Sequence, residues 1–149
     1  MTRALRQAWS AGRSGEAPVG ALVLDPVDGR ILAEAGNASI ARSDPTAHAE
    51  ILALRAAGQA LGNYRLGGAI LVVTLEPCLM CLGAMVHARI GGLVFGAFDP
   101  KAGAVRSNLD AAALPFLNHR FPVLGGLLEK ECGATLTRFF ASRRKQNRS

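Results

Sequence analysis

Four side chains capable of metal and proton chemistry lie in two short motifs of the 149-residue chain. One alanine separates His48 from Glu50, and two residues separate Cys78 from Cys81, with Pro77 directly before the first cysteine. Zinc is commonly bound by imidazole nitrogen and thiolate sulfur. Two cysteines three positions apart on the first turn of a helix share one face and can bind one ion together. The spacing therefore predicts one zinc ion per chain, held by His48, Cys78 and Cys81.

No fourth ligand is evident in the sequence. Cys132 fits the apolar face of a C-terminal helix, and His87 falls roughly 600° around its helix from Cys81, away from the metal face. His119 follows a loop and is either substrate-facing or merely exposed. Three protein ligands with one open position are typical of catalytic zinc, whereas structural zinc sites are closed by four.

Glu50 is not needed as a ligand and is placed to carry protons. Zinc lowers the pKa of bound water from about 16 to about 7. Deamination also requires a proton to leave water, reach the ring and then reach the departing ammonia. For a hydrolytic deamination, Glu50 is therefore placed to be the catalytic residue. A redox C-x-x-C motif is the competing interpretation, but it leaves the preceding Glu76-Pro77 and the separate His48 and Glu50 unexplained.

The elements that position these motifs alternate between strands and helices. Periodicity and turn signals predict strands at 19–24, 30–35, 69–74 and 92–97, the first two paired as a hairpin. They predict helices at 4–11, from 44–46 to 57, at 77–88 and at 127–145, with a short helix at 108–113. This order is typical of a single α/β layered domain, residues 1–149, around a mixed sheet.

The composition favours a globular chain, since half of the residues are apolar and 19% are charged. The first 13 residues contain Arg3 and Arg6 and lack a sustained apolar run, which argues against a signal peptide. The most apolar stretch, 69–73, is too short to cross a bilayer. We therefore expect a soluble, cytoplasmic protein.

The net charge of +6 is concentrated at the C-terminus. Residues 138–149 contain five basic side chains and no acidic one, which leaves the rest of the chain nearly neutral. A basic tail on a neutral body predicts a polyanionic partner. The alternative is a solvated helix end whose bases complement the helix dipole.

The H-A-E and P-C-x-x-C motifs together are typical of zinc deaminases of nucleobases, and nearly the whole chain resembles the bacterial tRNA adenosine deaminases. The resemblance implies a three-layer cytidine-deaminase-like fold, with a five-stranded mixed sheet flanked by helices. It also implies a homodimer whose partner chain helps shape each active site, and conversion of adenosine to inosine at the anticodon wobble position. The matching stretches are 18–21, Asn37, 44–51, 63–66, 74–78, 80–81, 83–85, 89–90, 99–101, 118–120 and 139–140.

The resemblance further implies contacts with the tRNA anticodon stem-loop. Asn37 and the backbone at Ala49 would contact the flipped base. Nearby ribose and phosphate would be contacted by Asp99, Lys101 and Asn118, and the anticodon loop by Phe140, Arg143 and Arg144. Milder interpretations are that Asp99 only forms a turn and that Phe140 only packs in the core.

Two departures from the family pattern are visible. The chain begins almost at its first helix, and Arg106 stands where the family usually has glycine.

Two other functions also remain open. A deaminase of guanine, cytosine or a free nucleoside is disfavoured by the basic tail and the 118–120 motif. A non-catalytic RNA-binding module with a structural zinc is disfavoured by Glu50 and the missing fourth ligand.

Overall fold

A five-stranded sheet separates two pairs of helices in the computed structural model, which describes residues 1–148. The strand order is β2-β1-β3-β4-β5; β1 runs antiparallel to both neighbours, and β3, β4 and β5 are parallel. The predicted three-layer α/β fold with a mixed sheet is confirmed. The elements are α1 (Thr2–Arg13), β1 (Gly20–Leu24), β2 (Ile31–Gly36), α2 (Ala49–Leu61), β3 (Ile70–Leu75), α3 (Leu79–Ala88), β4 (Gly92–Ala97), β5 (Val123–Gly125) and α4 (Glu129–Gln146).

The two faces of the sheet bury alternate residues of the central strands. Val23 and Val73 point into the main core, which α2 and α3 cover, whereas Leu22 and Val72 pack with Ala4 of α1 on the other face. Helix α4 joins α1 on that second face. Successive side chains of a strand point to opposite faces, so a strand covered on both sides is apolar throughout. This explains why β3 is apolar from Ile70 to Val73.

Helix α1 lies unusually close to β1. A Cβ atom at Gly20 would overlap the carbonyl oxygen of Ala4 and lie 2.6 Å from the backbone nitrogen of Ala8. The Gly20 N–H donates to Oγ1 of Thr74 on the neighbouring strand, at 3.1 Å. A glycine is therefore required where the helix crosses the strand.

The start of α2 was predicted wrongly. The Asp44 carboxylate accepts hydrogen bonds from the backbone N–H and the hydroxyl of Thr46, at 2.8 and 2.7 Å. This closes a local turn instead of opening a helix. The helix begins at Ala49, after His48. It also continues through Gly58 and ends before Gly62, which has a left-handed φ of 64°. An interior glycine costs only about 1 kcal/mol, which packing can offset.

The boundaries of other helices and strands differ from the predicted ones by smaller amounts. Helix α3 begins at Leu79, two residues later than predicted, and α1 extends at both ends to Thr2–Arg13. Only Ala111–Ala113 of the predicted 108–113 helix is helical, as a 3₁₀ turn. Strand β5 has three residues, too few to give a period-two pattern. Within residues 1–148, no helix is both long and apolar enough to span a bilayer.

Candidate active site

Two helix N-termini meet at the candidate site. His48 is the N-cap of α2 and Cys78 is the N-cap of α3, and both have extended backbone conformations. Cys81 is the third residue of α3. The side chain of an N-cap residue leans over the first turn and meets the third residue, the geometry that capping boxes use. The two cysteines therefore face each other across the positive end of a helix, which favours thiolates.

The three predicted ligands lie at the separation that tetrahedral zinc requires. The Sγ atoms of Cys78 and Cys81 are each 3.6 Å from Nδ1 of His48. Zinc–sulfur bonds of about 2.3 Å and zinc–nitrogen bonds of about 2.05 Å at a tetrahedral angle place sulfur and nitrogen about 3.6 Å apart. In the described part of the chain, no other group of three His, Cys, Asp or Glu residues meets this spacing. These residues fit a zinc ion.

The two thiols share a proton unequally. A hydrogen bond from Cys81 lowers the pKa of Cys78 to about 4, with a further contribution from His48. The same hydrogen bond, together with burial, raises the pKa of Cys81. The hydrogen bond with Cys78 also raises the pKa of His48. A bound dication would hold both sulfurs as thiolates and release the proton.

The three other candidate ligands lie outside this cluster. Cys132 is 1% exposed and packs with Leu5 and Ala97 on the opposite face of the sheet, which confirms its place on an apolar helix face. His87 is exposed on α3. His119 Nε2 donates to the carbonyl oxygen of Ile90 at 2.7 Å, so it supports the loop that carries it.

Glu50 is the second residue of α2 and is only 4% exposed. Burial raises the pKa of its carboxyl group to about 7, against the attraction of His48. A general acid–base group works best when its pKa lies near the working pH. The positive charge of a bound metal would lower this pKa, since opposite charges favour the ionised form. Glu50 is therefore suited to accept a proton and to return it.

A cleft of about 400 Å³ contains this chemistry. Its size lies within the roughly 300–1,000 Å³ of small-molecule sites. It opens at the carboxyl ends of the parallel strands β3 and β4, where α/β proteins commonly bind ligands. The lining residues are Glu16, Ala17, Val19, Asn37, Ser39, Ile40, His48, Glu50, Leu75, Glu76, Cys78, Asp99 and Ala102.

Of the residues assigned by resemblance to base, ribose and phosphate contacts, some line this cleft and others do not. Asn37 and Asp99 line it, and Ala49 lies between two lining residues as the first residue of α2, where a backbone N–H has no partner within the helix. Lys101 is exposed on the loop after β4, and its backbone N–H donates to Asp99. Asn118 lies outside the cleft, where its Oδ1 accepts a hydrogen bond from Arg89 at 2.8 Å.

The three residues of α4 that were assigned to the anticodon loop differ in how available their side chains are. Phe140 is 47% exposed, so the core interpretation of this residue is wrong. The Arg143 guanidinium donates to the carbonyl oxygen of Gly15 and lies 5.1 Å from the ring centroid of Phe139. Arg144 is exposed, and its side chain has no hydrogen bond or ion pair within residues 1–148. Arg143 thus fastens α4 to the loop between α1 and β1, whereas Arg144 is available to a partner.

Glu76 is a site residue whose role sequence reasoning missed. It is 2% exposed and accepts hydrogen bonds from the backbone of Val105, Arg106 and Ser107 and, at 2.6 Å, from the Ser107 hydroxyl. One carboxylate thereby holds the loop after β4 beside the cleft. The side chain of Arg106 points to Asp110 at 3.3 Å, and its φ is not positive, so this loop does not need the family's glycine there.

Gly103 lets this loop approach Glu76. A Cβ atom at this position would overlap the Glu76 carboxylate. We expect Gly103→Ala to lower kcat/KM for the reaction at this site about 10- to 100-fold while zinc content stays at wild type, because misplacement of about 1 Å at a site can cost 10²-fold. The matched control is Gly133→Ala, since a Cβ atom there meets nothing within 4 Å. Wild-type kinetics for Gly103→Ala would show that the loop does not shape the site.

Comparison of the sequence with known proteins gives consistent matches. Residues 1–97 match the family model described as the cytidine and deoxycytidylate deaminase zinc-binding region. The chain is 48% identical to the tRNA-specific adenosine deaminase of Haemophilus influenzae, over 99% of this chain and 85% of that protein. It is 42% identical to the tRNA-specific adenosine deaminase of Bacillus subtilis, over 100% of this chain and 91% of that protein.

Solved structures agree with the sequence matches. A structure from studies of A-to-I editing by tRNA:A34 deaminases at the wobble position of transfer RNA superposes with a TM-score of 0.86 at 47% identity, covering 89% of this chain and 95% of that one. A guanine deaminase from Nitrosomonas europaea superposes with a TM-score of 0.81 at 25% identity, covering 94% and 82%.

Proposed function

Because this chain belongs to the zinc-dependent cytidine and deoxycytidylate deaminase family, and within it to the tRNA-specific adenosine deaminases, we propose that it converts adenosine to inosine at the wobble position of tRNA. The observation that carries the proposal is the cluster of His48, Cys78 and Cys81 beside a buried Glu50 in one cleft. The reaction consumes water and releases ammonia from the amino-bearing carbon of the base.

In this proposal His48, Cys78 and Cys81 hold the zinc ion. When bound, zinc supplies a water molecule acidic enough to attack at neutral pH. Glu50 would take a proton from the attacking water, give it to the ring nitrogen next to the attacked carbon, and carry the second proton of that water to the departing amino group. Its burial and its near-neutral pKa support both transfers. The residue therefore acts as base and then as acid.

The base enters the cleft flipped out of a single-stranded loop. The Asn37 side chain and the free N–H of Ala49 bind it there, and Asp99 and Lys101 contact the adjoining ribose and phosphate. Asn118, Phe140, Arg143 and Arg144 complete the proposed contacts with the anticodon stem-loop. The exposure of Phe140 and Arg144 supports this part of the proposal.

A homodimer and a cytoplasmic location complete the proposal. The partner chain would help to shape each active site. Large apolar side chains are exposed at the start of α3 beside the metal ligands, Leu79 and Met80, and at or just after the C-terminal end of α2, Leu61 and Tyr64. Exposed apolar surface commonly marks a protein–protein contact. Sedimentation of the purified protein tests the dimer.

A deaminase of small substrates is the second candidate, favoured by the similarity to a guanine deaminase. An assay of inosine formation on bulk tRNA, run beside free adenosine, guanine and cytosine, separates the two. We expect conversion of tRNA to exceed conversion of the free compounds by orders of magnitude, because a neutral base gains nothing from the basic last helix. Equal rates on a free base and on tRNA would replace the first proposal with the second.

The two arginines of α4 should respond differently to substitution. We expect Arg144→Gln to reduce the slope of log affinity against log salt for an anticodon stem-loop by about 0.7, the value for one phosphate contact on a single strand, with no change in melting temperature. Arg143→Gln should also lower the melting temperature, because it releases the Gly15 loop.

Arg30→Gln serves as the matched control for both variants. Arg30 lies beside the β1–β2 turn, at the end of the hairpin opposite the cleft, so its loss should leave the salt slope at wild type. If Arg144→Gln behaves like Arg30→Gln, then the tail bases only complement the helix dipole.

A further inference from the structure

Glu16 is a buried carboxylate in the cleft wall to which the proposed proton transfers give no role. It is 3% exposed and lies in the loop between α1 and β1. Its oxygens accept three hydrogen bonds, from the side-chain nitrogen of Asn37 at 3.2 Å, from the backbone of Ile40 at 3.2 Å and from the backbone of Ala41 at 2.8 Å. All three donors belong to the segment after β2, and two of them, Asn37 and Ile40, line the cleft.

These contacts determine which way the Asn37 amide points. A carboxylate only accepts hydrogen bonds, so the amide nitrogen of Asn37 must face Glu16 and the oxygen must point away from it. The oxygen has no hydrogen-bond partner within residues 1–148. The backbone is fixed as well, because the Asn37 N–H donates to the carbonyl oxygen of Val19 at 3.0 Å. Asn37 therefore offers the cleft an acceptor in a fixed place.

We propose that Glu16 is a positioning residue that fixes the Asn37 amide so that its oxygen accepts a hydrogen bond from the amino group that deamination removes. The proposal rests on the proposed function. Asparagine recognises adenine in this sense, with the amide oxygen accepting from the exocyclic amino group. An amide free to rotate would present its donor as often as its acceptor.

The fixed orientation also separates substrate from product. Deamination replaces the amino group, a donor, with a carbonyl oxygen, an acceptor. The Asn37 oxygen would then face another oxygen and lose its hydrogen bond, which leaves a buried acceptor unpaired and weakens binding. Glu16 thus favours binding of the adenosine form and release of the inosine form. It does so through the side chain of Asn37, which is not a zinc ligand.

Glu16→Gln tests this role because it keeps the size of the side chain but introduces a donor. The new amide nitrogen faces the N–H groups that donate to Glu16 in the wild type. Rotation of the Asn37 side-chain amide by 180° relieves one of these clashes, because it turns the Asn37 oxygen to the glutamine and the Asn37 nitrogen to the cleft. We expect kcat/KM for an adenosine-containing anticodon stem-loop to fall about 10- to 100-fold, the discrimination typical of a polar contact to a base edge. Inhibition by the same stem-loop carrying inosine should strengthen relative to substrate binding.

Two comparisons distinguish positioning from a loss of structure. Glu76→Gln alters another buried carboxylate of the cleft, which does not contact Asn37, and should lower activity without changing the ratio of inosine to adenosine affinity. In a double-mutant cycle, adding Glu16→Gln to Asn37→Ala should cost less than about 3-fold, since residues that act through one another are not additive. Zinc content and melting temperature are measured for every variant.

The outcomes are separable. Wild-type protein that leaves the adenosine stem-loop unchanged would contradict the proposed function itself. Wild-type protein that deaminates it, with an unchanged affinity ratio in Glu16→Gln or with fully additive losses in the Asn37→Ala background, would overturn only the role of Glu16. A shifted ratio together with non-additive losses supports it.

Discussion

Glu50→Ala is expected to abolish turnover while the protein keeps its fold and its zinc. General acid–base groups typically contribute about 10²–10⁴-fold. Glu50 serves more than one proton transfer in the proposed reaction, so the loss should reach or exceed about 10⁴-fold. Its carboxyl group is buried and is not one of the three clustered ligands, so its removal should leave metal binding intact. Single-turnover inosine formation and elemental analysis measure the two properties on one sample.

Two further variants sharpen the Glu50 result. Glu50→Gln keeps the volume of the side chain, but its amide neither accepts nor releases a proton near neutral pH, and it should be as inactive as the alanine variant. Glu34→Ala removes a glutamate of strand β2 that forms an ion pair with Arg3 of α1, and it should keep wild-type turnover. A Glu50→Ala protein that retained a tenth of wild-type activity would remove this residue from the mechanism.

The cysteine pair of the zinc cluster was predictable because its geometry follows from local spacing. Cys78 at the N-cap and Cys81 at the third position of α3 come together within one helical turn. The start of α2 was not predictable in the same way. Asp44 is a good helix N-cap by type, and only the turn that it closes on Thr46 shows that the cap is His48.

The burial of Glu16 and Glu76 escaped sequence analysis for a different reason. Glu16 and Glu76 stand in loops, where glutamate is usually solvated, and nothing in their spacing marks them as buried. Each becomes buried because a distant segment folds over it, residues 37–41 for Glu16 and residues 105–107 for Glu76. A charged residue directly before or after an apolar strand is the one signal that could have singled out Glu76. The contact between Arg143 and Gly15 is equally non-local.

Cys81→Ser is expected to lose zinc and activity together. Cys81 is buried beneath the first turn of α3 and directs its sulfur at Nδ1 of His48. A serine oxygen reaches less far than sulfur and stays protonated near neutral pH, so it replaces a strong anionic ligand with a weak neutral one. Without bound zinc, water keeps its pKa of about 16 instead of about 7. Turnover should therefore fall at least about 10⁴-fold, and Cys78→Ser should behave in the same way.

Cys132→Ala is the control that tests whether the zinc ion has three protein ligands or four. The third cysteine is as buried as Cys81 but packs against Leu5 and Ala97, across the sheet from His48. Its loss should lower the melting temperature, because a buried side chain is shortened, yet leave one equivalent of zinc and wild-type turnover. If Cys132→Ala lost zinc as completely as Cys81→Ser, the metal would have four protein ligands and no position for water. The site would then be structural, and Glu50 would have no attacking water to deprotonate.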